Sequence, residues 1–214
     1  MHQKIKLKSK RNQVHRIIED NRSYIKKTFT ESENMRKEIQ VLRALKKEGC
    51  NVPEILEVFE DTLYLEDLGE VTLLDWYERK EKENTVDYVD MIEKLCEWMK
   101  SFYSITYNCY DQSMILSDVN FRNFLIKDNE IYGIDFEESH AGNIETDAGK
   151  LAAFSMTYHP EMTKWKLRFA EELEKILSLE LNLNKELVMK EKEKELRQIK
   201  NRRGCIMHNE GECV

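Results

Sequence analysis

Glycine is scarce in this chain, and none of its 7 glycines occurs before Gly49. The first fifth of the sequence therefore cannot form a glycine-rich loop whose backbone amides wrap a phosphate. Proline is scarcer still, at 2 residues, so a loop-rich or low-complexity chain is excluded. No run of about 18 apolar residues occurs, so no transmembrane helix and no membrane insertion are expected. The opening MHQKIKLKSKRNQ has no apolar segment of the kind a signal peptide needs, so none is expected. The 5 cysteines, at 50, 96, 109, 205 and 213, are odd in number and scattered. That pattern fits a reducing cytoplasm better than a disulfide framework. An excess of base is also missing: 34 Lys and Arg stand against 41 Asp and Glu, for a net charge of −7. Such a chain is a poor general binder of nucleic acid or anionic membrane. The exception is local, since residues 1–27 carry nine Lys and Arg against two acids.

What remains is a chain of 214 residues with 41% hydrophobic and 35% charged side chains, enough for one large domain or two small lobes. Residues 4–29 alternate like strands, with a hairpin turn at Glu19-Asp20-Asn21-Arg22. Met35, Ile39, Leu42 and Leu45 then recur at helical spacing. Thr30 and Glu33 have the spacing of a capping box at the start of this helix, and Gly49 fits its C-terminal end. Val52-Pro53 closes it and opens two strands, Ile55–Phe59 and Thr62–Glu66. The second part is mainly helical. A wide apolar face runs over 85–106, a short hairpin follows at 123–134, and helices are expected near 147–158, 161–178 and 184–200. The alternating Glu and Lys of 190–195 read as a solvated helix face.

The segment richest in chemistry is Ile115 to Phe136, ILSDVNFRNFLIKDNEIYGIDF. Asp118 is followed five residues on by Asn123, then by a hairpin, then by Ile134-Asp135-Phe136. A carboxylate at the end of an apolar strand is costly without a partner such as a metal. Upstream, Glu38 falls on the apolar stripe of its helix and calls for a cation. Lys26 is the favoured partner, because it shares a strand face with Tyr24; Lys27, on the other face, is the alternative.

The order of these parts resembles the protein-kinase-like superfamily, over roughly residues 5–178, on its atypical side. Asp-x-x-x-x-Asn, a strand pair and Asp-Phe form the pattern of that superfamily's catalytic and metal-binding loops. The resemblance implies an α+β, two-lobed fold: a small β-rich lobe with one helix over 1–68, a mainly helical lobe over 69–200, and a flexible tail over 201–214. It implies a kinase that moves the γ-phosphate of ATP, with Mg²⁺, to a hydroxyl acceptor. In it Asp118 is the catalytic carboxylate and Asn123 and Asp135 the metal ligands. Lys26 binds phosphate and is paired with Glu38, Val14 covers the adenine, and Glu66 and Leu68 of the hinge meet it through their main chain. Asp147 looks like the aspartate that braces the catalytic loop, although a helix N-cap would use the same residue type.

Several positions depart from the pattern. Lys8 to Val14 stands where a glycine-rich loop is usual, so its Lys and Arg side chains take over phosphate contact. Leu116 and Asn120 replace the usual neighbours of the catalytic Asp, and Asp-Phe-Gly is replaced by Asp135-Phe136-Glu137. No activation segment is recognisable. Aminoglycoside and choline kinases, with small-molecule acceptors, are one comparison. The minimal RIO-type kinases and the small kinase of the KEOPS complex, with Ser/Thr acceptors, are the other. A non-catalytic scaffold of the same fold is the remaining alternative. Cys205, His208 and Cys213 match no strong zinc spacing. Neither the acceptor nor the oligomeric state is legible.

Overall fold

The computed structural model describes residues 2–20 and 22–209, with side chains described from Gln3 to Arg203. The candidate ligands Cys205, His208 and Cys213 lie outside that range of described side chains. The N-terminal lobe is a five-stranded antiparallel sheet crossed by one helix. Its strands are β1 (His2–Lys6), β2 (Gln13–Glu19), β3 (Arg22–Thr28), β4 (Ile55–Phe59) and β5 (Thr62–Glu66), in the order β1-β2-β3-β5-β4. Val14 pairs with Lys27, and Lys27 pairs with Leu63, so these three project from one face. Lys26 pairs with His15 and Tyr64 and projects from the other.

Helix α1 (Ser32–Lys47) buries Met35, Glu38, Val41, Leu42 and Leu45. It differs from expectation at its start. Glu31 is the N-cap residue and makes no side-chain cap, while the Thr30 amide instead donates to Asn12 Oδ1 at 3.4 Å. At its end Gly49 takes φ +78, and the amides of Gly49 and Cys50 donate to the carbonyls of Lys46 and Leu45. A left-handed residue there closes the helix in a Schellman arrangement, and glycine adopts it without a Cβ penalty.

The second lobe is built on α2 (Leu73–Glu83), α3 (Val89–Tyr110), α4 (Ile144–Thr157), α5 (Lys164–Glu180) and α6 (Lys185–Asn209). Four short strands and a 3₁₀ turn (Phe121–Asn123) complete it: β6 (Met114–Ile115), β7 (Phe124–Lys127), β8 (Glu130–Gly133) and β9 (His140–Ala141). Helix α2 has no counterpart in the sequence-based expectation. Its signal was nevertheless present, since Thr72 and Asp75 form a reciprocal capping box. Helix α3 begins at Val89 rather than near 85 and buries one wide face, through Met91, Leu95, Met99 and Phe102 among others. It forms the axis of this lobe. The expected solvated character of α6 holds only in part. Val188, Glu195 and Ile199 are buried, and Gly149 lets the backbone of α4 approach Val188 and Lys192 so closely that a Cβ would lie 2.7–2.8 Å from them. The helix also continues to Asn209, past the expected start of a tail at residue 201.

Polar contacts tie the lobes together behind the cleft. Asn51 presents its carbonyl both to Trp98 Nε1 at 2.8 Å and to the Gly133 amide at 3.1 Å. Lys127 Nζ donates to Glu66 at 3.0 Å, beside a bond within the second lobe from the Ile126 amide to the Val71 carbonyl at 2.8 Å. The α1 stripe, β5 and the α3 face belong to one continuous apolar core. Among the described residues no helix is long and apolar enough to cross a membrane.

Candidate active site

A strand, a helix and a loop converge below the N-terminal sheet. From β3, Lys27 Nζ lies 2.6 Å from Glu38 Oε2 on α1, 2.8 Å from Asp135 Oδ1 after β8, and 3.7 Å from Glu137 Oε2. The expected partner of Glu38 was Lys26, and the geometry corrects it by one residue. Lys26 and Tyr24 do share a face, but it is the outer one, where Lys26 Nζ lies 5.7 Å from the centre of the Tyr64 ring. The cleft-facing set is Val14, Ile25 and Lys27, which explains why Lys27 is buried. A one-residue slip moves a side chain to the opposite face of a strand.

The charges around Lys27 do not balance. One ammonium serves three carboxylates, of which Glu38 and Glu137 are buried. Burial pushes the Glu38 carboxyl up to about 7, helped by Asp135 and Glu137 and opposed by Lys27. Burial acts to lower the Lys27 ammonium, but the attraction of Glu38, Asp135 and Glu137 outweighs it and its pKa is raised. A further positive charge brought to this cluster would be favourable.

The segment around Asp118 is shaped by its own backbone groups. The Asp118 amide donates to the Leu116 carbonyl at 2.9 Å, with Ser117 between them at φ +68. Asp147 of α4 holds this tight turn from behind. Its Oδ2 accepts from the Leu116 amide at 2.7 Å and its Oδ1 from the Ser117 amide at 3.0 Å, while Tyr103 donates to it at 3.1 Å. Asp147 is therefore a brace and not an N-cap, a place occupied by Asn143. Lys150 Nζ adds a bond to the Ser117 carbonyl at 2.8 Å.

Asp118 and Asn123 are linked directly, since Asn123 Nδ2 donates to the Asp118 carbonyl at 2.7 Å. That bond uses the amide nitrogen and leaves Oδ1 as the oxygen of Asn123 suited to a hard cation. The Ile134 amide donates to the Asn123 carbonyl at 2.9 Å, so the hairpin returns Asp135 to the level of Asn123. Asp135 itself adopts φ +66, an uncommon conformation for a residue with a side chain. Asn120 Nδ2 donates to Asp118 Oδ1 at 2.7 Å and so orients the carboxylate where other residue types were expected.

Of the hinge residues, Leu68 is buried, and Glu66 pairs through its side chain with Lys127. Its carboxylate is held below its ordinary range: burial opposes ionisation, but the Lys127 bond and the Glu54 amide outweigh it. Three participants were not singled out from sequence. Glu137 stands in the carboxylate cluster, Asn12 bonds to Glu137 at 2.5 Å, and Arg16 reaches across the hinge to Asp67 and the Gly69 carbonyl at 2.7 Å. The available signal was charge placement. Arg16 lies on the same strand face as Val14, where an arginine needs an acid if it is buried.

A family model described as the RIO domain matches residues 2–146. Comparison with curated proteins yields no match. Among solved structures, the chain is similar to amicoumacin kinase hAmiN in complex with AMP-PNP, Ca²⁺ and Ami, at 14% identity and a TM-score of 0.57. That alignment covers 84% of this chain and 72% of that one. It is also similar to PK-1, the kinase of Cydia pomonella granulovirus, at 15% identity and a TM-score of 0.51, over 64% of this chain and 53% of that one. At such identities the likeness speaks for the fold, and it agrees with the β-rich lobe, the helical lobe and the cleft between them. The fold is that of the protein-kinase-like superfamily, and with well over half of its length matched by the family model, the chain belongs to the RIO domain family.

Proposed function

We propose that this protein is an ATP- and Mg²⁺-dependent phosphotransferase with a hydroxyl acceptor. The observation that carries this is the convergence of Lys27 and Glu38 from the N-terminal lobe on Asp135, which its hairpin returns to the level of the linked pair Asp118 and Asn123. Phosphoryl transfer needs positioning and charge neutralisation more than covalent chemistry. Lys27, oriented by Glu38, neutralises phosphate charge. Asn123 Oδ1 and Asp135 would hold the cation, which when bound would supply positive charge to offset that of the phosphates. The unbalanced acids around Lys27 fit a cation of this kind. Asp118, aligned by Asn120, orients the acceptor hydroxyl and takes its proton. Val14 covers the base, and the main chain of Glu66 and Leu68 pairs with its edge. The bound AMP-PNP and Ca²⁺ of the amicoumacin kinase structure support nucleotide and divalent metal as the ligand classes.

Two acceptor classes remain, each with its own support. The segment from Phe136 to the start of α4 at Ile144 is short and offers no platform for a peptide, which favours a small molecule. Membership of the RIO domain family favours a Ser/Thr side chain in a minimal kinase. A non-catalytic scaffold has no need of all five polar residues.

The test begins with thermal unfolding. Mg-ATP at ten to a hundred times its Kd stabilises the native state by about 1.4–2.7 kcal/mol and raises Tm. Asp135→Ala should lose most of the Mg²⁺-dependent part. No rise in Tm at millimolar Mg-ATP would sink the nucleotide reading. A screen of amino alcohols, aminoglycosides, sugars and protein substrates then separates the two acceptor classes.

A further inference from the structure

The turn between β1 and β2 stands where nucleotide phosphates are covered in this fold, and it contains no glycine. Its residues are Leu7-Lys8-Ser9-Lys10-Arg11-Asn12. The Leu7 amide donates to the Val14 carbonyl at 2.9 Å, and the Asn12 amide to Ser9 Oγ at 3.3 Å. These bonds shape the turn but do not fix it over the cleft. Two side-chain contacts across the cleft do so. Asn12, 9% exposed, donates through Nδ2 to Glu137 Oε2 at 2.5 Å and accepts from the Thr30 amide through Oδ1 at 3.4 Å. Arg11 forms an ion pair with Glu138.

The two contacts differ in character. Asn12 and Glu137 are buried, and Glu137 also lies 3.7 Å from Lys27, so this bond joins the turn to the charge cluster. Arg11 is 58% exposed and Glu138 35%, so their pair is solvated and exchangeable. Lys8 and Lys10 are exposed on the same turn. A strongly basic strip is thus held against the two acids that follow Asp135.

We propose that Asn12–Glu137 and Arg11–Glu138 form a side-chain latch that closes the basic turn over the cleft, and that Arg11 passes from Glu138 to the nucleotide phosphates when Mg-ATP binds. This rests on the phosphotransferase reading above. The buried bond keeps the turn in place in both states. The exposed pair holds the guanidinium ready and is broken when a more highly charged partner arrives. Guanidinium groups bind phosphate oxygens in the same forked geometry as carboxylates, so the exchange needs only a side-chain swing.

Two measurements on the full chain test it. Hydrogen exchange without nucleotide reads the latch alone. The Leu7 and Thr30 amides should be protected in the wild type and exchange faster in Asn12→Ala. Titration with Mg-AMP-PNP reads the handover. Glu138→Ala should bind about two- to fivefold more tightly, because Arg11 no longer leaves a carboxylate to meet phosphate. Arg11→Ala should bind about tenfold more weakly or worse. In the double variant the gain from Glu138→Ala should vanish, a coupling that a merely structural role of Glu138 would not produce. Unchanged or weaker binding by Glu138→Ala, or a gain that survives in the double variant, overturns the handover. An unprotected turn in a wild type that binds nucleotide normally overturns the latch but not the phosphotransferase reading. A protected turn in a wild type that binds no nucleotide overturns that reading and the handover with it.

Discussion

The ammonium of Lys27 lies 2.6 Å from the carboxylate of Glu38, across the gap between β3 and α1. Both groups are buried, and removing one member of a buried pair leaves the other uncompensated. Lys27→Met should therefore destabilise the protein by about 3–5 kcal/mol at neutral pH and abolish Mg-ATP binding. Lys26→Met, on the outer face, should stay within about 0.5 kcal/mol of wild type and bind normally. Urea unfolding and nucleotide titration of the two variants check this. Equal effects would mean that neither lysine is specific to the cleft.

Gly133 supplies a second prediction, about how the lobes are held. A Cβ on Gly133 would lie 2.0 Å from the Trp98 ring, whose Nε1 donates to the Asn51 carbonyl. The Gly133 amide donates to that same carbonyl. Gly133→Ala cannot be relieved by a flexible chain end, because the obstacle is a packed indole. It should cost about 1–3 kcal/mol or more, and Gly133→Ala with Trp98→Phe should recover part of the loss. Denaturant unfolding of the single and double variants is the measurement.

Much of the site was legible because its parts are local. Asp118, Asn123 and Asp135 lie within 18 positions of one another, and the hairpin of β7 and β8 that joins them has a clear turn signal. The stripe of α1 placed Glu38 correctly, since helical periodicity assigns a residue to a face. The choice between Lys26 and Lys27 could not be made that way. A strand has two faces, and the Tyr24 side is covered in part by Tyr64, so both faces looked able to be buried. The Thr30 cap is not made because the helix starts one residue later, with Glu31 at the N-cap, and the Thr30 amide bonds instead to Asn12, 18 residues earlier. Glu137 was seen only as a departure from Asp-Phe-Gly, because its partners, Asn12 and Lys27, are more than a hundred residues away.

The Glu38 carboxyl yields a prediction about pH. Its folded pKa is raised to about 7 from an ordinary 4.5. Between those values the native state holds a proton that the unfolded chain has released. The contribution of this group to stability is therefore complete below the unfolded value and is lost as pH rises through about 7. The loss is at most about 1.4 kcal/mol per pH unit. Glu38→Gln, which cannot ionise, lacks this dependence. The Tm of wild type should thus fall relative to that of Glu38→Gln as pH is raised from 5 to 8. Parallel curves over that range would show that Lys27 holds the carboxylate ionised throughout.

The last prediction separates a brace from a reacting group. Asp147 accepts three hydrogen bonds and is fully buried, and two of its donors are the amides that flank the strained turn at Ser117. Asp147→Asn replaces one acceptor oxygen with an NH₂, so one buried backbone N–H must face a donor. That should cost about 1–3 kcal/mol. Freed from its brace, the turn can relax toward the conformations a serine prefers, and Asp118, the next residue, moves with it. Stability and turnover should fall together. Asp118→Asn is different. Its side chain is only partly buried and its amide can still bond with Asn120, so stability should change little. On the proposed role of Asp118 the proton acceptor is gone, however, and turnover should drop by about 10²- to 10⁴-fold with nucleotide affinity nearly intact. The two variants are compared by urea unfolding and by steady-state rate on the best acceptor found. A stable Asp118→Asn that keeps full rate would move the catalytic carboxylate elsewhere. A stable Asp147→Asn with full rate would mean that the turn holds its shape without the brace.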